Sequence, residues 1–230
     1  MASLIQLKNI DKIYGDKVKT QVLFDVNLEV EESSFNSIIG QSGSGKSTLM
    51  NIIGTLDQPT SGQVFINGKD TSQMTKNELA ILRNETIGFI FQFHHLLPEF
   101  SVLENVMMPF RIKNNNKVTK EAEERAEYLI DMVGLTKVKN NGSTEISGGQ
   151  QQRAAIARSL INEPKLILGD EPTGNLDSAT AQTVYDLMRD INKKLKTTFI
   201  LITHDQEVAQ QADRILEIKD GEIIMDLENL

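Results

Sequence analysis

Gly40-Gln41-Ser42-Gly43-Ser44-Gly45-Lys46-Ser47-Thr48 fits the pattern G-x-x-x-x-G-K-[ST]. Its glycines let the backbone wrap tightly, so that successive N–H groups can face phosphate oxygens. A helix beginning there would add its positive N-terminal end, and Lys46 a full charge near the β- and γ-phosphates. Ser47 would supply a hydroxyl for Mg²⁺. Further along, Lys165 to Asp170 reads K-L-I-L-G-D, an apolar strand ending in a carboxylate. That is where an α/β sheet holds an acid that coordinates Mg²⁺. Glu171 follows directly, and strand alternation would turn it away from Asp170, towards an attacking water. Taken alone, an Asp-Glu pair at a strand end is a turn or a helix cap; beside a phosphate loop it reads as catalytic.

Ser147-Gly148-Gly149-Gln150 precedes a helical apolar set of Ala154, Ala155, Ile156, Ala157 and Leu160. Ser147 could be an N-cap and nothing more. The paired glycines could instead offer bare backbone N–H groups to an anion. Two phosphate-facing helix starts in one chain suggest a nucleotide held between two chains, and two-fold symmetry would then make two equivalent sites.

The elements around these residues must hold them in place. Leu4, Ile5, Leu7 and Ile10 open a strand, and Val22, Phe24, Val26, Leu28 and Val30 alternate along a second, which places all five on one face. Ser37-Ile38-Ile39 runs into Gly40, and Lys46 to about Gly54 should be helical. Gln63 to Ile66 forms a strand that turns back at Asn67-Gly68, and Lys219-Asp220-Gly221-Glu222 is a second hairpin turn. From about 75 to 161 the pattern becomes helical, with Ala122, Ala126, Leu129, Ile130 and Val133 on one face. Leu166 to Leu168 and Phe199 to Ile202 are apolar all round and read as buried parallel strands, with a crossover helix over Ala179 to Leu195 between them. The expected organisation is therefore one α/β domain spanning the chain, with a helical lobe inserted at about 75–161.

Composition sets outer bounds. The chain has 230 residues, 39% hydrophobic and 24% charged, as an ordinary globular domain does. A net charge of −8 argues against a nucleic-acid binder and against a polybasic membrane anchor. There is no cysteine, so disulfides and thiolate metal sites are excluded. No apolar run approaches the roughly 18 residues of a spanning helix, so a membrane role would have to come through a partner.

In this combination and order the motifs resemble those of the ABC ATPases over essentially the whole chain. Gly40–Thr48 matches the Walker A motif, Ile167–Asp170 the Walker B motif, and Ser147–Gln150 the signature motif, with Ile146 where Leu is usual. Asn175-Leu176-Asp177 resembles the D-loop, Gln92 the Q-loop glutamine, His204 the switch histidine and Tyr14 the residue that stacks on adenine. The resemblance implies a P-loop NTPase (RecA-like) core with an N-terminal antiparallel β subdomain and an inserted α-helical subdomain, acting as an ATPase on ATP and Mg²⁺. It implies Glu171 as general base or water-orienting carboxylate, His204 positioning the γ-phosphate and water, Gln92 touching Mg²⁺ or water and reporting to the helical lobe, Ser47 and Asp170 at the metal, and an ATP-dependent homodimer. Outside these motifs, a histidine like His204 is most often a plain surface or core residue, and a tyrosine like Tyr14 plain packing.

Within the family, the run Phe91-Gln92-Phe93-His94-His95-Leu96-Leu97-Pro98-Glu99-Phe100 and Gly174–Asp177 resemble the group of LolD, MacB and FtsE. This implies a cytoplasmic subunit bound to the inner face of a membrane through an integral permease of the MacB/LolCE/FtsX type. The apolar Phe93–Phe100 segment is expected either to receive a cytoplasmic helix of that permease or to be ordinary core packing. A soluble ABC ATPase acting on DNA, or as a switch without a permease, is the alternative.

Overall fold

The computed structural model describes residues 3–229. Two sheets and seven α-helices build it. β1 (Ser3–Tyr14), β2 (Thr20–Glu31), β4 (Ser61–Ile66) and β5 (Lys69–Asp70) form an antiparallel sheet in the order β2-β1-β4-β5. The second sheet runs β10-β9-β3-β8-β7-β6, from β3 (Phe35–Ile39), β6 (Ile87–Phe91), β7 (Leu166–Asp170), β8 (Thr198–Ile202), β9 (Arg214–Lys219) and β10 (Glu222–Glu228). All neighbours in it are parallel except the β9–β10 hairpin.

The parallel strands are apolar on both faces because a core lies on each side. Ile167, Phe199 and Leu201 point into one core, with the helices α3 (Val102–Lys113), α4 (Lys120–Met132), α5 (Gly148–Leu160) and α6 (Ser178–Leu195). Leu166, Leu168, Ile200 and Ile202 point into the other, with α1 (Lys46–Ile53) and the antiparallel sheet. In the first core, Phe35 stacks on Phe199 at 5.2 Å and takes the edge of Tyr185 at 5.5 Å. Both hairpins use the expected turns: Asn67-Gly68 and Asp220-Gly221 all have positive φ, as type I′ requires.

Three expectations change. Phe24 is exposed, whereas Leu23 and Val26 are buried. Asp25 at φ 43° adds a residue between them, so that Ile10 faces Val26 while Lys12 faces Leu23, and the bulge flips the alternation midway along β2. The span 75–161 is not purely helical either. After α2 (Lys76–Thr86) it contributes β6, which pairs with β7 in the central sheet, and only then α3, α4, a 3₁₀ turn at Thr136–Val138 and α5. Glu171 does not continue the strand alternation: β7 stops at Asp170, and Glu171 turns out at φ 46°.

Candidate functional site

The phosphate loop connects β3 to α1. Gly40, Gly43 and Gly45 have φ of 147°, 79° and 106°, a succession that turns backbone N–H groups towards one point. A Cβ on Gly40 would lie 2.1 Å from the Ile218 carbonyl, so the loop sits hard against β9. The second hairpin braces it further, since Gly221 N–H donates to the Ser44 carbonyl at 3.0 Å. No side chain caps α1 and no acidic residue stands in its first turn, so its leading N–H groups are free for a bound anion. The Ser44 hydroxyl is buried without a partner. Lys46 is also buried, and its ammonium donates to the carbonyls of Gly40 (2.8 Å) and Gln41 (2.7 Å). Desolvation pulls the Lys46 pKa down, and the charges of Glu171 and Asp170 oppose that shift. An orphaned hydroxyl, free helix N–H groups and a cation fit a polyphosphate.

Asp170 and Glu171 stand across from Lys46 at the end of β7. Desolvation, then the neighbouring Glu171, push the Asp170 carboxyl above its usual range, with Lys46 opposing. Among the described residues no hydrogen-bond donor reaches it. A half-buried carboxylate without donors beside Lys46, and an exposed Ser47 hydroxyl at the start of α1, are oxygen ligands of the kind Mg²⁺ takes. The Glu171 N–H is held by the Ile202 carbonyl at 3.0 Å, and its Oε1 lies 3.1 Å from His204 Nδ1, beyond the end of β8. Neighbouring parallel strands thus bring together two residues 33 positions apart.

Gln92 follows β6, on the other side of β7. Its amide donates to Asn175 Oδ1 (3.2 Å), and Asn175 Nδ2 returns a bond to the Gln92 carbonyl (3.1 Å). A Cβ on Gly174 would meet Gln92 Nε2 at 3.0 Å and Glu171 Oε2 at 3.3 Å, so the three positions crowd one corner. Tyr14 donates its hydroxyl to Asp57 at 2.7 Å, and the Lys12 ammonium, itself bonded to Asp57, lies 4.6 Å from the ring centroid. Desolvation, with Asp57 as acceptor, raises the Tyr14 pKa, and the Thr48 hydroxyl of the phosphate loop counters it. One ring face is therefore taken by Lys12 at the edge of the loop.

Ser147 does cap α5. Its hydroxyl accepts from Gln150 N–H (3.3 Å), and the Gln150 side chain accepts from Ser147 N–H (2.9 Å). Because Gln150 closes this capping box, the bare N–H groups of the turn are those of Gly148 and Gly149. Gly149 is pressed against α6, where a Cβ would meet Thr180 Cγ2 at 2.6 Å. The cavity here is walled by Ser147, Gly149, Arg153, Asn175 and Thr180, and not by the phosphate loop. The structure thus gathers Gly40–Thr48, Asp170, Glu171, Gln92 and His204 in one region, and gives Ser147–Gln150 a different surface.

No motif marks Lys12, Asp57 or Asn175's hold on Gln92. The apolar groove beside β6 went unnoticed as well. Phe93 is exposed and Leu96 packs into the helical core. The groove, of about 850 Å³, lies between α2, β6 and the end of α3, lined by Ile81, Phe89, Phe91, Pro109 and Ile112 with Leu56 at its margin. Leu56, Ile81 and Ile112 are 49%, 59% and 67% exposed, an apolar patch of the kind that marks an interaction surface. Among the described residues no helix is long and apolar enough to cross a membrane.

Comparison with known proteins agrees with this geometry. A family profile described as "ABC transporter" matches residues 23–174. The chain is 48% identical over 225 residues to the lipoprotein-releasing system ATP-binding protein LolD 1 of Rhodopseudomonas palustris, covering 97% of this chain and 99% of that protein. It is also 48% identical to the LolD of Shewanella oneidensis over 95% of this chain and 94% of the other. A dimeric structure of the ATP-binding cassette MJ0796, in a post-hydrolysis state bound to ADP and Pi, superposes with a TM-score of 0.88 at 40% identity, covering 97% and 98% of the two chains. CbiO1 of Clostridium perfringens, part of the transporter complex cbiONQ, gives 0.89 at 26% identity over 99% and 89%. With the P-loop geometry, these matches establish that the chain belongs to the ABC transporter family, as an ATP-binding subunit that hydrolyses ATP.

Proposed function

We propose that this subunit drives an integral membrane partner of the MacB/LolCE/FtsX type, in export, lipoprotein release or mechanical transmission across the membrane. In that setting it sits peripherally on the cytoplasmic face, held there by the partner. Identity of 48% to LolD proteins over nearly their whole length is the observation that carries this reading. The groove supports it: Ile81 and Ile112 leave an apolar trough that an amphipathic helix of the permease would cover. A soluble or DNA-acting role has no comparable support, and a net charge of −8 disfavours it.

In the proposed cycle, two copies close on two ATP molecules, as the dimeric state of MJ0796 suggests. Each ATP lies on Gly40–Thr48 of one copy and meets Ser147–Gln150 of the other, where Gly148 and Gly149 N–H groups face its γ-phosphate. The free face of Tyr14 stacks on adenine. Ser47, Asp170 and Gln92 would hold Mg²⁺, which neutralises charge on the phosphate oxygens. Glu171 takes the proton of the attacking water or orients it, and His204, already against Glu171, positions water and γ-phosphate. The Gln92 Nε2 bond to Asn175 leaves Oε1 open for the metal and links this residue to the D-loop.

Purification from detergent-solubilised membranes tests the proposal. The tagged chain should bring down a permease with few spanning helices and a large external domain, and Ile81→Asp with Ile112→Asp should release it while ATP binding persists. Recovery of a many-helix importer permease would overturn the assignment.

A further inference from the structure

Arg158, in the last turn of α5, belongs to none of the motifs above and borders the groove beside β6. Its Nη1 donates to the His95 carbonyl at 2.6 Å and its Nη2 to the His94 carbonyl at 2.7 Å. Among the described residues it pairs with no carboxylate. A guanidinium drawn out of water and committed to two backbone carbonyls is a costly arrangement, and desolvation lowers its pKa accordingly. What it gains is geometry, because the planar fork can grip two successive carbonyls as an ammonium cannot.

Those carbonyls lie two and three residues beyond Gln92. The segment is strained, with His95 at φ 47°, and the Phe91 ring meets the His95 ring at 5.3 Å. Its far end is tied down separately. Fully buried Asn105 accepts from Leu97 N–H and donates to the carbonyls of Leu97, Phe100 and Ser101. The Ser143 hydroxyl also donates to the Leu97 carbonyl, and Gln151, in the first turn of α5, donates to the Ser143 carbonyl. α5 therefore reaches the loop from both of its ends. It is 13 residues long, about 20 Å, and its first residues follow Ser147.

We propose that Arg158 is a positioning residue for ATP hydrolysis: it fixes the loop after Gln92 to α5, so that Gln92 and the Ser147 turn keep one spacing. This rests on the reading of Gln92 given above. Without the guanidinium, the His94 and His95 carbonyls lose their hydrogen bonds to α5, and among the side-chain contacts of Gln92 only that with Asn175 remains.

The test is a double-mutant cycle on steady-state ATP hydrolysis by the full chain, using Arg158→Gln, Gln92→Ala and both together. Arg158→Gln should lower kcat about tenfold, since a shift of about half an ångström at a reacting group costs roughly that. KM for ATP should stay within about twofold, because the phosphate loop is untouched. In the Gln92→Ala background the same change should cost less than about twofold. Arg158→Lys, which keeps the charge but grips one carbonyl at a time, should fall between, and it carries the same cycle if the glutamine variant does not fold. Losses that multiply would overturn the proposal, because Arg158 would then act independently of Gln92. Wild-type turnover in Gln92→Ala would overturn it differently, by removing the role of Gln92 itself.

Discussion

Gly174 offers a perturbation that touches the catalytic corner and little else. It is exposed, its φ is outside the left-handed region, and its N–H donates to the Glu171 carbonyl at 3.0 Å, so alanine suits the backbone. The added methyl would lie 3.0 Å from Gln92 Nε2, 3.3 Å from Glu171 Oε2 and 3.4 Å from Gln92 Cδ. Ordinary contacts begin at about the last of these distances, so both side chains must withdraw, the amide the further. If a 1 Å misplacement costs about a hundredfold in rate, a retreat of about 0.4 Å costs about sixfold, or roughly 1 kcal/mol of barrier. Gly174→Ala should therefore lower kcat about sixfold and leave KM for ATP nearly unchanged. Folding should be neutral or favoured by up to about 1 kcal/mol, since alanine restricts the unfolded chain. Steady-state ATPase assays beside thermal melts separate the two effects. Wild-type kcat in a variant of normal melting temperature would falsify the view that Gln92 and Glu171 are poised by this contact.

Two further outcomes follow from single groups. Glu171→Gln keeps the shape but removes the base and the carboxylate against His204; turnover should fall by about 10² to 10⁴. ATP binding should persist and an ATP-bound dimer accumulate on size-exclusion chromatography, whereas near wild-type hydrolysis would unseat Glu171 as the base. Asp213 is held below the usual carboxylate range, first by the hydrogen bond from Arg189, with the Phe35 N–H contributing. A depressed pKa stabilises the fold above the unfolded value of about 3.9 and loses that effect as pH falls through the folded value. Asp213→Asn should lower the melting temperature by a few degrees at pH 7, and the two proteins should converge once the pH has fallen through the lowered value of Asp213. A gap that persisted in acid would mean the carboxylate's charge is not what matters.

What the sequence made legible divides by the range of the interactions. The phosphate loop, the Ser147 turn and the two I′ hairpins are each specified within a few residues by glycine and capping chemistry, and each stands where expected. β7 and β8 were equally clear, because a parallel strand with a core on both faces has to be apolar throughout. The bulge at Asp25 was hidden because aspartate in the left-handed region leaves no mark in a hydrophobic pattern, and Val22 and Phe24 continue a period that the backbone has already broken. The groove beside β6 was missed for another reason. Phe93–Phe100 is apolar in sequence, but Asn105, Ser143 and Arg158 spend that segment's backbone on the helical lobe. The open trough is assembled instead from Leu56, Ile81 and Ile112, far apart in the chain.

The same distinction explains why the Glu171–His204 pair was singled out and the support of the loop after Gln92 was not. Glu171 and His204 each follow the end of a buried strand, and adjacent parallel strands must bring their C-terminal ends together, so strand order predicts that they lie close. Arg158 grips main-chain carbonyls 63 and 64 residues away, and a carbonyl acceptor carries no residue identity. Support of this kind is invisible to any motif. If Arg158 acts as proposed, α5 presents one end to the γ-phosphate of a facing subunit and holds the Gln92 loop of its own with the other. Closure of the dimer and the setting of Gln92 would then be one rigid-body event, with the groove beside β6 placed to register it.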